Sequence, residues 1–142
     1  MTQAPARILL LGGTGFVGRH VCEKLTRMGS SMTVITRRAN QASAIQNLPR
    51  VTVIEGDVYN LEFLTQCMQK HDVVINLIAI LHGTPAAFEK AHVQLPQVIA
   101  QACQDSGVHR LIHISALGAS LTGPSEYQRS KARGEEIFKQ AG

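Results

Sequence analysis

The feature that most constrains this chain is a glycine-rich turn between an apolar run and a helical pattern. The run covers residues 8–11, and Gly12-Gly13-Thr14-Gly15-Phe16-Val17-Gly18 follows it directly. Consecutive apolar residues bounded by glycines predict a short buried strand, and the apolar spacing of Val17, Val21 and Leu25 predicts a helix. Residues 7–28 are therefore expected to form a strand, a tight turn and a helix.

Each glycine of this segment has a separate expected role. Gly12 permits the tight turn, Gly15 lets a ligand approach the backbone, and Gly18 lets the helix pack closely on the strand. Free N–H groups and the positive end of the helix suit a phosphate group. The segment therefore predicts a pyrophosphate site for a dinucleotide. An ordinary glycine-rich turn between strand and helix is the alternative.

Composition indicates one globular α/β domain. Of the 142 residues, 44% are hydrophobic and 17% are charged, and no apolar run approaches the roughly 18 residues of a membrane span. Residues 1–7 lack the apolar core of a signal peptide, which predicts a cytoplasmic location, or attachment to a membrane through a partner. The net charge is +4, but scattered basic residues and only 4% aromatic residues argue against nucleic-acid binding.

The cysteines and histidines predict no metal site. Cys22, Cys67 and Cys103 form no Cys-x-x-Cys pair and lie on apolar helical positions, which is typical of buried, reduced thiols. His109 and His113 lie in a predicted strand, where a spacing of four residues separates them by about 13 Å. That distance is too large for one ion.

Strand and helix patterns alternate along the chain. Strands are predicted at residues 7–11, 32–36, 51–55, 72–77 and 108–115. Helices are predicted at residues 16–28, 41–48, 85–106 and 125–140, with another capped by Asn60. Pro96 should kink or split the third of these. The alternation predicts a three-layer, doubly wound parallel sheet in the order 3-2-1-4-5, forming one domain over residues 1–142, with ligands at the carboxyl ends of strands one and four.

A second group of chemically active residues lies towards the end of the chain. Tyr127 and Lys131 are four residues apart on the last predicted helix, so they share one face. A neighbouring ammonium favours the phenolate of a tyrosine, whose ordinary pKa is about 10, and brings it towards proton transfer at neutral pH. Ser115, at the carboxyl end of strand five, can donate to a substrate oxygen. The alternative is that Tyr127 and Lys131 are a surface pair without a function.

The combined pattern resembles the short-chain dehydrogenase/reductase superfamily, especially its extended and atypical branches, over nearly the whole chain. The glycine spacing carries this resemblance. Residues 107–119 and 127–135 are similar to a narrower group that includes the nucleotide-binding accessory subunit of respiratory complex I. Members of the superfamily continue with a sixth strand and a substrate-binding segment. The resemblance therefore implies that this chain is the amino-terminal part of a longer protein, and that it can be a subunit of a larger complex.

The resemblance also implies roles for individual residues. With the turn and the end of strand two, the expected dinucleotide-binding set is Gly12, Thr14, Gly15, Phe16, Val17, Gly18, Arg37, Arg38, Asp57, Val58, Leu77 and Ala79. Within this set, Asp57 and Val58 would border the adenine, and Leu77 and Ala79 the nicotinamide-side ribose. The residues that match the catalytic triad are Ser115, Tyr127 and Lys131. The sequence departs from the pattern at His92, where many extended members carry asparagine.

The end of strand two, Thr36-Arg37-Arg38, predicts which dinucleotide is preferred. A protein that binds NAD places an acidic residue there to hold the ribose hydroxyls, and this chain has none. Two arginines suit a 2′-phosphate by charge and by their forked geometry. NADP(H) is therefore predicted over NAD(H), with solvated loop arginines as the alternative.

Two functions follow from these residues. The first is an NADP(H)-dependent oxidoreductase or epimerase/dehydratase acting on a small molecule, in which Tyr127 exchanges a proton while the nicotinamide exchanges a hydride. The second is a nucleotide-binding module without turnover, serving as a sensor or assembly subunit. The triad favours the first function, and the resemblance to an accessory subunit favours the second.

Overall fold

The computed structural model describes residues 6–141, which form a parallel sheet covered by helices. The sheet has five strands in the order β3-β2-β1-β4-β5, and every pair is parallel. The strands are β1 (Arg7–Leu11), β2 (Ser31–Thr36), β3 (Val51–Glu55), β4 (Val73–Asn76) and β5 (Arg110–His113). This order confirms the predicted doubly wound topology.

Six α-helices lie within the described residues. They are α1 (Phe16–Arg27), α2 (Ser43–Gln46), α3 (Leu61–Met68), α4 (Pro85–Glu89), α5 (Leu95–Ser106) and α6 (Glu126–Ala141). The side chain of Asn60 caps α3 as expected, because its Oδ1 accepts from the N–H of Phe63 at 3.1 Å. None of the helices in residues 6–141 is long and apolar enough to cross a membrane.

The two faces of the sheet bury alternate residues of the same strands. In β1, Leu9 and Leu11 pack into one core, whereas Ile8 and Leu10 pack into the other. Helices α3, α5 and α6 cover the first face, and α1 and α2 cover the second. Since successive side chains of a strand point to opposite faces, an almost wholly apolar strand supports three layers.

The glycine turn brings the start of α1 onto the carboxyl end of β1. Gly12 has φ of 89°, in the left-handed region that glycine adopts without strain. A Cβ atom on Gly18 would clash with the carbonyl oxygen of Gly12 and with the backbone of Gly13. The helix therefore reaches this close position only because Gly18 has no side chain.

The helix predicted for residues 85–106 is split, as Pro96 led us to expect. Helix α4 ends at Glu89, and a π-helical segment, Lys90–Gln94, connects it to α5. Pro96 has no N–H to donate to the carbonyl of His92, four residues earlier. That carbonyl oxygen lies against Gly134, where a Cβ atom would clash with it. The irregular segment therefore lies where α6 crosses this face of the sheet.

Strand β5 forms an edge of the sheet in the described part of the chain. Ile112 and Ile114, in β5 and just after it, are 44% and 49% exposed. Within the described residues, the chain at and just after β5 therefore exposes two isoleucine side chains.

We predict that Gly18→Ala destabilises the protein by about 1–3 kcal/mol, because the new methyl group meets backbone atoms that no side-chain rotation can move. Urea unfolding of the intact protein measures this change in the free energy of unfolding.

Gly15→Ala is the matched control in the same turn. The nearest atom to its Cβ would be the carbonyl oxygen of Gly12 at 4.0 Å, an ordinary contact. Alanine is a weaker helix cap than glycine but loses less entropy on folding, so the two effects offset each other. Equal stability of the two variants would contradict the packing argument for Gly18.

Candidate functional site

A cavity of about 510 Å³ lies at the carboxyl ends of strands β1 to β4. The glycine turn, the end of β2 and the segments after β3 and β4 all contribute to its wall. The lining includes seven residues that the sequence predicts for the dinucleotide: Gly12, Thr14, Gly15, Arg37, Val58, Leu77 and Ala79. These residues are far apart in the chain, and the sheet topology brings them together.

The other predicted dinucleotide residues lie outside this lining. Phe16 and Val17 begin α1 and are 73% and 57% exposed, while Gly18 is buried beneath the turn. Arg38 is exposed, and its N–H donates to the hydroxyl of Thr36 at 3.2 Å. Asp57, in turn, accepts from the N–H of Tyr59 at 2.9 Å, and this bond shapes the turn that carries Val58 into the cavity wall. The binding role of every residue in the predicted set, inside or outside the lining, remains a prediction.

Tyr59 and Lys90 line the cavity without having been predicted from the sequence. The phenol of Tyr59 donates to the backbone carbonyl of Lys90 at 3.1 Å, and the Lys90 ammonium lies 4.9 Å from the centre of the Tyr59 ring. The pair holds a cation in the wall. In the sequence, the position of Tyr59 directly after Asp57 and Val58 could have suggested that it lines the cavity. No local pattern marks Lys90 as a lining residue.

The start of α1 is suited to a phosphate group. Gly15 is the N-cap and supplies no side-chain acceptor, and the first turn carries no acidic residue. Among the described residues no side chain caps the N–H groups of this turn, and the positive end of the helix faces the cavity through Gly12 and Gly15. The turn fits a pyrophosphate.

The end of β2 presents one arginine to the cavity. Arg37 lines the wall, and no ion pair engages it within residues 6–141. The carboxylate beside it in the sheet belongs to Glu55, whose register partner is Thr36. That carboxylate accepts from the N–H of Ala39 at 3.0 Å. Arg37 is therefore a cation without a carboxylate partner in the described residues, at the end of the cavity formed by β2.

The three residues of the predicted triad do not line the cavity, but two of them meet at the carboxyl end of β5. Lys131 is only 2% exposed, and its Nζ donates to the carbonyl oxygen of Ile114 at 3.0 Å. Burial lowers the pKa of this ammonium. Ser115 follows Ile114 directly, and its buried Oγ has no hydrogen-bond partner among the described residues.

The side chain of Tyr127 packs against the π-helical segment at His92. It is half-buried and packs edge-on against His92 and Phe88, with ring centres 5.5 and 6.3 Å away. His92 is 2% exposed and bonded at both nitrogens, to the N–H of Ile80 and to the hydroxyl of Ser130. Both ring nitrogens of His92 are therefore occupied by protein partners.

Two imidazoles in this region are held neutral. Burial, with smaller effects of the Lys131 ammonium and of His113, lowers the pKa of His92 to about 4. Burial, with a smaller effect of Lys131, also lowers the pKa of His113 to about 4. Asn76 donates to Nδ1 of His113 at 3.1 Å, which places the ring proton on Nε2. Within residues 6–141, no group of three or more His, Cys, Asp or Glu side chains is arranged to hold a metal ion.

Comparison with known proteins gives one family match and related subunits. Residues 12–141 match the family described as NAD(P)H-binding. Subunit 9 of the NADH dehydrogenase [ubiquinone] 1 alpha subcomplex from Mus musculus is 38% identical over 133 residues, covering 89% of this chain and 35% of that protein. The 40 kDa subunit of NADH-ubiquinone oxidoreductase from Neurospora crassa is 30% identical, covering 92% and 36%. The chain thus spans about a third of the length of these relatives, and they confirm the resemblance to the complex I accessory subunit.

Solved structures show the same fold. The enzyme WbmH of Bordetella bronchiseptica, in complex with NAD+, superposes with a TM-score of 0.79 at 19% identity, covering 98% of this chain and 54% of that one. The likeness agrees with the order of the five strands.

The cytoplasmic location predicted from the sequence is wrong by these comparisons. The Mus musculus and Neurospora crassa relatives are both named as mitochondrial proteins. The prediction depended on the lack of a secretory core in residues 1–7, and that lack excludes only one route of targeting.

We predict that the free energy of unfolding falls as the pH is lowered from about 6.5 to about 4. The unfolded chain protonates both histidines near their ordinary pKa of about 6.5, whereas the folded chain protonates His92 and His113 only near 4. The unfolded state therefore binds more protons in this range and is favoured by acid.

Urea unfolding at a series of pH values measures the slope. His92→Gln and His113→Asn should each remove the contribution of about one proton to it. His82→Gln, which removes an exposed imidazole, is the control and should leave the slope unchanged. A parent protein with no slope in this range would contradict the prediction.

Proposed function

Since this chain belongs to the NAD(P)H-binding family, we propose that its cavity holds a nicotinamide dinucleotide and prefers NADP(H) to NAD(H). The observation that carries the proposal is the lining itself, which joins the turn at Gly12 and Gly15 to Arg37, Val58 and Leu77. A volume of about 510 Å³ is in the usual range for a cofactor site. The bound dinucleotide would supply hydride transfer at its nicotinamide.

Each part of the lining has a distinct task in this proposal. The first turn of α1 binds the pyrophosphate through backbone N–H groups. Val58, buried in the wall, borders the adenine. Leu77 and Ala79, after β4, border the ribose on the nicotinamide side.

The preference for NADP(H) rests on Arg37. Arg37 lines the wall at the end of β2, and no carboxylate within residues 6–141 pairs with its guanidinium. A guanidinium binds a phosphate through two parallel hydrogen bonds. Arg38 is exposed outside the lining, so it is assigned the lesser role of contacting the outer edge of the adenosine.

We assign proton transfer to the triad in the intact protein. Lys131 lies one turn after Tyr127 on α6, so the two residues share one face of the helix. The unpartnered hydroxyl of Ser115 donates to the substrate oxygen. On this assignment the protein is an oxidoreductase or epimerase/dehydratase acting on a small molecule.

A second function, that of a nucleotide-binding subunit without turnover, is favoured by a specific observation. None of the three triad residues lines the cavity, and the Lys131 ammonium is engaged by a backbone carbonyl. Relatives of this chain are named as subunits of a respiratory NADH dehydrogenase. In this function the dinucleotide stabilises the domain within a larger complex.

We predict that Arg37→Asp lowers the affinity of the intact protein for NADPH and removes its preference over NADH. A charge-assisted hydrogen bond contributes about 1.5–3 kcal/mol, so one or two such bonds correspond to roughly tenfold to several hundredfold discrimination. Calorimetric titration with NADPH and with NADH measures both affinities.

Arg38→Asp is the matched control, because it makes the same charge change one residue further along and outside the cavity lining. It should retain most of the preference. Equal affinities of the parent protein for the two dinucleotides would contradict the proposed NADP(H) preference, and an equal loss in both variants would contradict the role of Arg37.

We predict that Tyr127→Phe abolishes turnover and leaves NADPH affinity nearly unchanged, since the phenol lies outside the cavity lining. Consumption of NADPH, followed by absorbance with a panel of ketones and aldehydes, measures turnover, and calorimetry measures binding. Full turnover in the variant would contradict the catalytic assignment. A parent protein that binds NADPH but reduces no member of the panel would support the second function.

A further inference from the structure

His92 connects the cavity wall to the helix that carries Tyr127 and Lys131. It lies in the π-helical segment Lys90–Gln94 and is 2% exposed. Its Nε2 is 3.0 Å from the backbone nitrogen of Ile80, and its Nδ1 is 2.9 Å from the hydroxyl oxygen of Ser130. One buried ring therefore touches the segment after β4 and helix α6 at the same time.

The direction of each bond follows from the donors. The N–H of Ile80 can only donate, so Nε2 of His92 must carry the lone pair and accept. In a neutral imidazole the proton is then on Nδ1, which donates to Oγ of Ser130. The hydroxyl of Ser130 donates in turn to the carbonyl oxygen of Tyr127 at 3.2 Å. The hydrogen bonds thus form one continuous chain from Ile80 to Tyr127, in which the donor and the acceptor of each bond are fixed.

Both ends of this chain lie at functional positions. Ile80 is part of the cavity lining, beside the positions assigned to the nicotinamide-side ribose. Ser130 is completely buried and lies on α6 between Tyr127 and Lys131, directly before the lysine. A displacement of the wall at Ile80 therefore acts on the turn of α6 that positions both side chains.

The backbone of the π-helical segment supports the same connection. The carbonyl of His92 has no N–H partner at Pro96 and lies against Gly134 of α6. The ring and the main chain of His92 both contact α6, so this helix cannot shift by itself without disturbing both contacts.

We propose that His92 is a positioning residue, which couples dinucleotide binding at the wall formed by residues 78–80 to the order of α6 around Tyr127 and Lys131. The coupling rests on the proposed function, because the dinucleotide is the ligand that contacts the wall. His92 transfers no proton and touches no substrate. Its role is to hold the cavity wall and α6 in a fixed position relative to each other.

Two substitutions separate the two bonds. Nε2 is three bonds from Cβ, as are the terminal atoms of glutamine, so His92→Gln can still accept from Ile80. Nδ1 is two bonds from Cβ, as are the terminal atoms of asparagine, so His92→Asn can still donate to Ser130. Each variant therefore keeps one half of the connection and breaks the other.

Hydrogen exchange of the intact protein, with and without NADPH, tests the coupling. At NADPH about 100 times its Kd, exchange at coupled amides slows by up to about 100-fold. In the parent we expect slowing both at residues 78–80 and in the first turns of α6, residues 129–134. His92→Gln should keep the slowing at residues 78–80 and lose it at residues 129–134.

Further variants distinguish coupling from a general loss of stability. Ser130→Ala should reproduce the pattern of His92→Gln, because it breaks the same bond. His92→Asn should also lose the slowing of exchange at α6, because it breaks the hydrogen bond to Ile80 in the cavity wall. Ser106→Ala makes the same chemical change as Ser130→Ala at the far end of α5, and it should keep the parent pattern at both places.

The outcomes separate this inference from the proposed function. The coupling would be overturned, while the proposed function stood, if the parent bound NADPH but its amide exchange slowed only at residues 78–80. The same conclusion would follow if His92→Gln and Ser130→Ala kept the full slowing of exchange at α6. A parent that showed neither calorimetric binding nor slowed exchange would overturn the proposed function, and this inference with it.

Discussion

The rest of the structure depends on the close contact between α1 and the end of β1. The backbone of Gly12 and Gly13 occupies the space that a side chain of Gly18 would need. Because α1 can approach this closely, its N-terminus faces the point where the chain reverses its winding between β1 and β4, and a cavity opens there. The part of the cavity wall formed by Gly12, Thr14 and Gly15 follows from this packing.

The second organising feature is a group of buried polar atoms around α6. The ammonium of Lys131 has one carbonyl partner, the Oγ of Ser115 has none within residues 6–141, and the same holds for Nε2 of His113. An unsatisfied buried polar group costs about 1–3 kcal/mol, so such atoms are rare in regions that serve only packing. Two of the three such atoms in the described residues, Nε2 of His113 and Oγ of Ser115, lie at the carboxyl end of β5, and the third, Oγ1 of Thr65, lies on α3.

The fold and the function are separate conclusions here. The strand order and the glycine turn are shared with proteins that bind dinucleotides, and the family match extends over residues 12–141. A fold of this type carries many activities, so turnover has to be argued from the site. In this chain none of the residues of the predicted triad lines the cavity, whereas His92 contacts both Ile80 in the cavity wall and Ser130 on α6, which is why the link through His92 matters to either proposed function.

The sequence by itself determined the fold class and the order of the strands, and it predicted seven of the sixteen residues that line the cavity. Apolar runs, glycines and the Asn60 cap are local signals, since they act through the period of a strand or through the ends of a helix. Local spacing could not show that Tyr59 meets Lys90, or that His92 bonds Ile80 and Ser130, because those contacts join residues 31, 12 and 38 positions apart. The tertiary structure alone decided them, because burial forces each polar atom to find a partner wherever the packed layers bring one within reach.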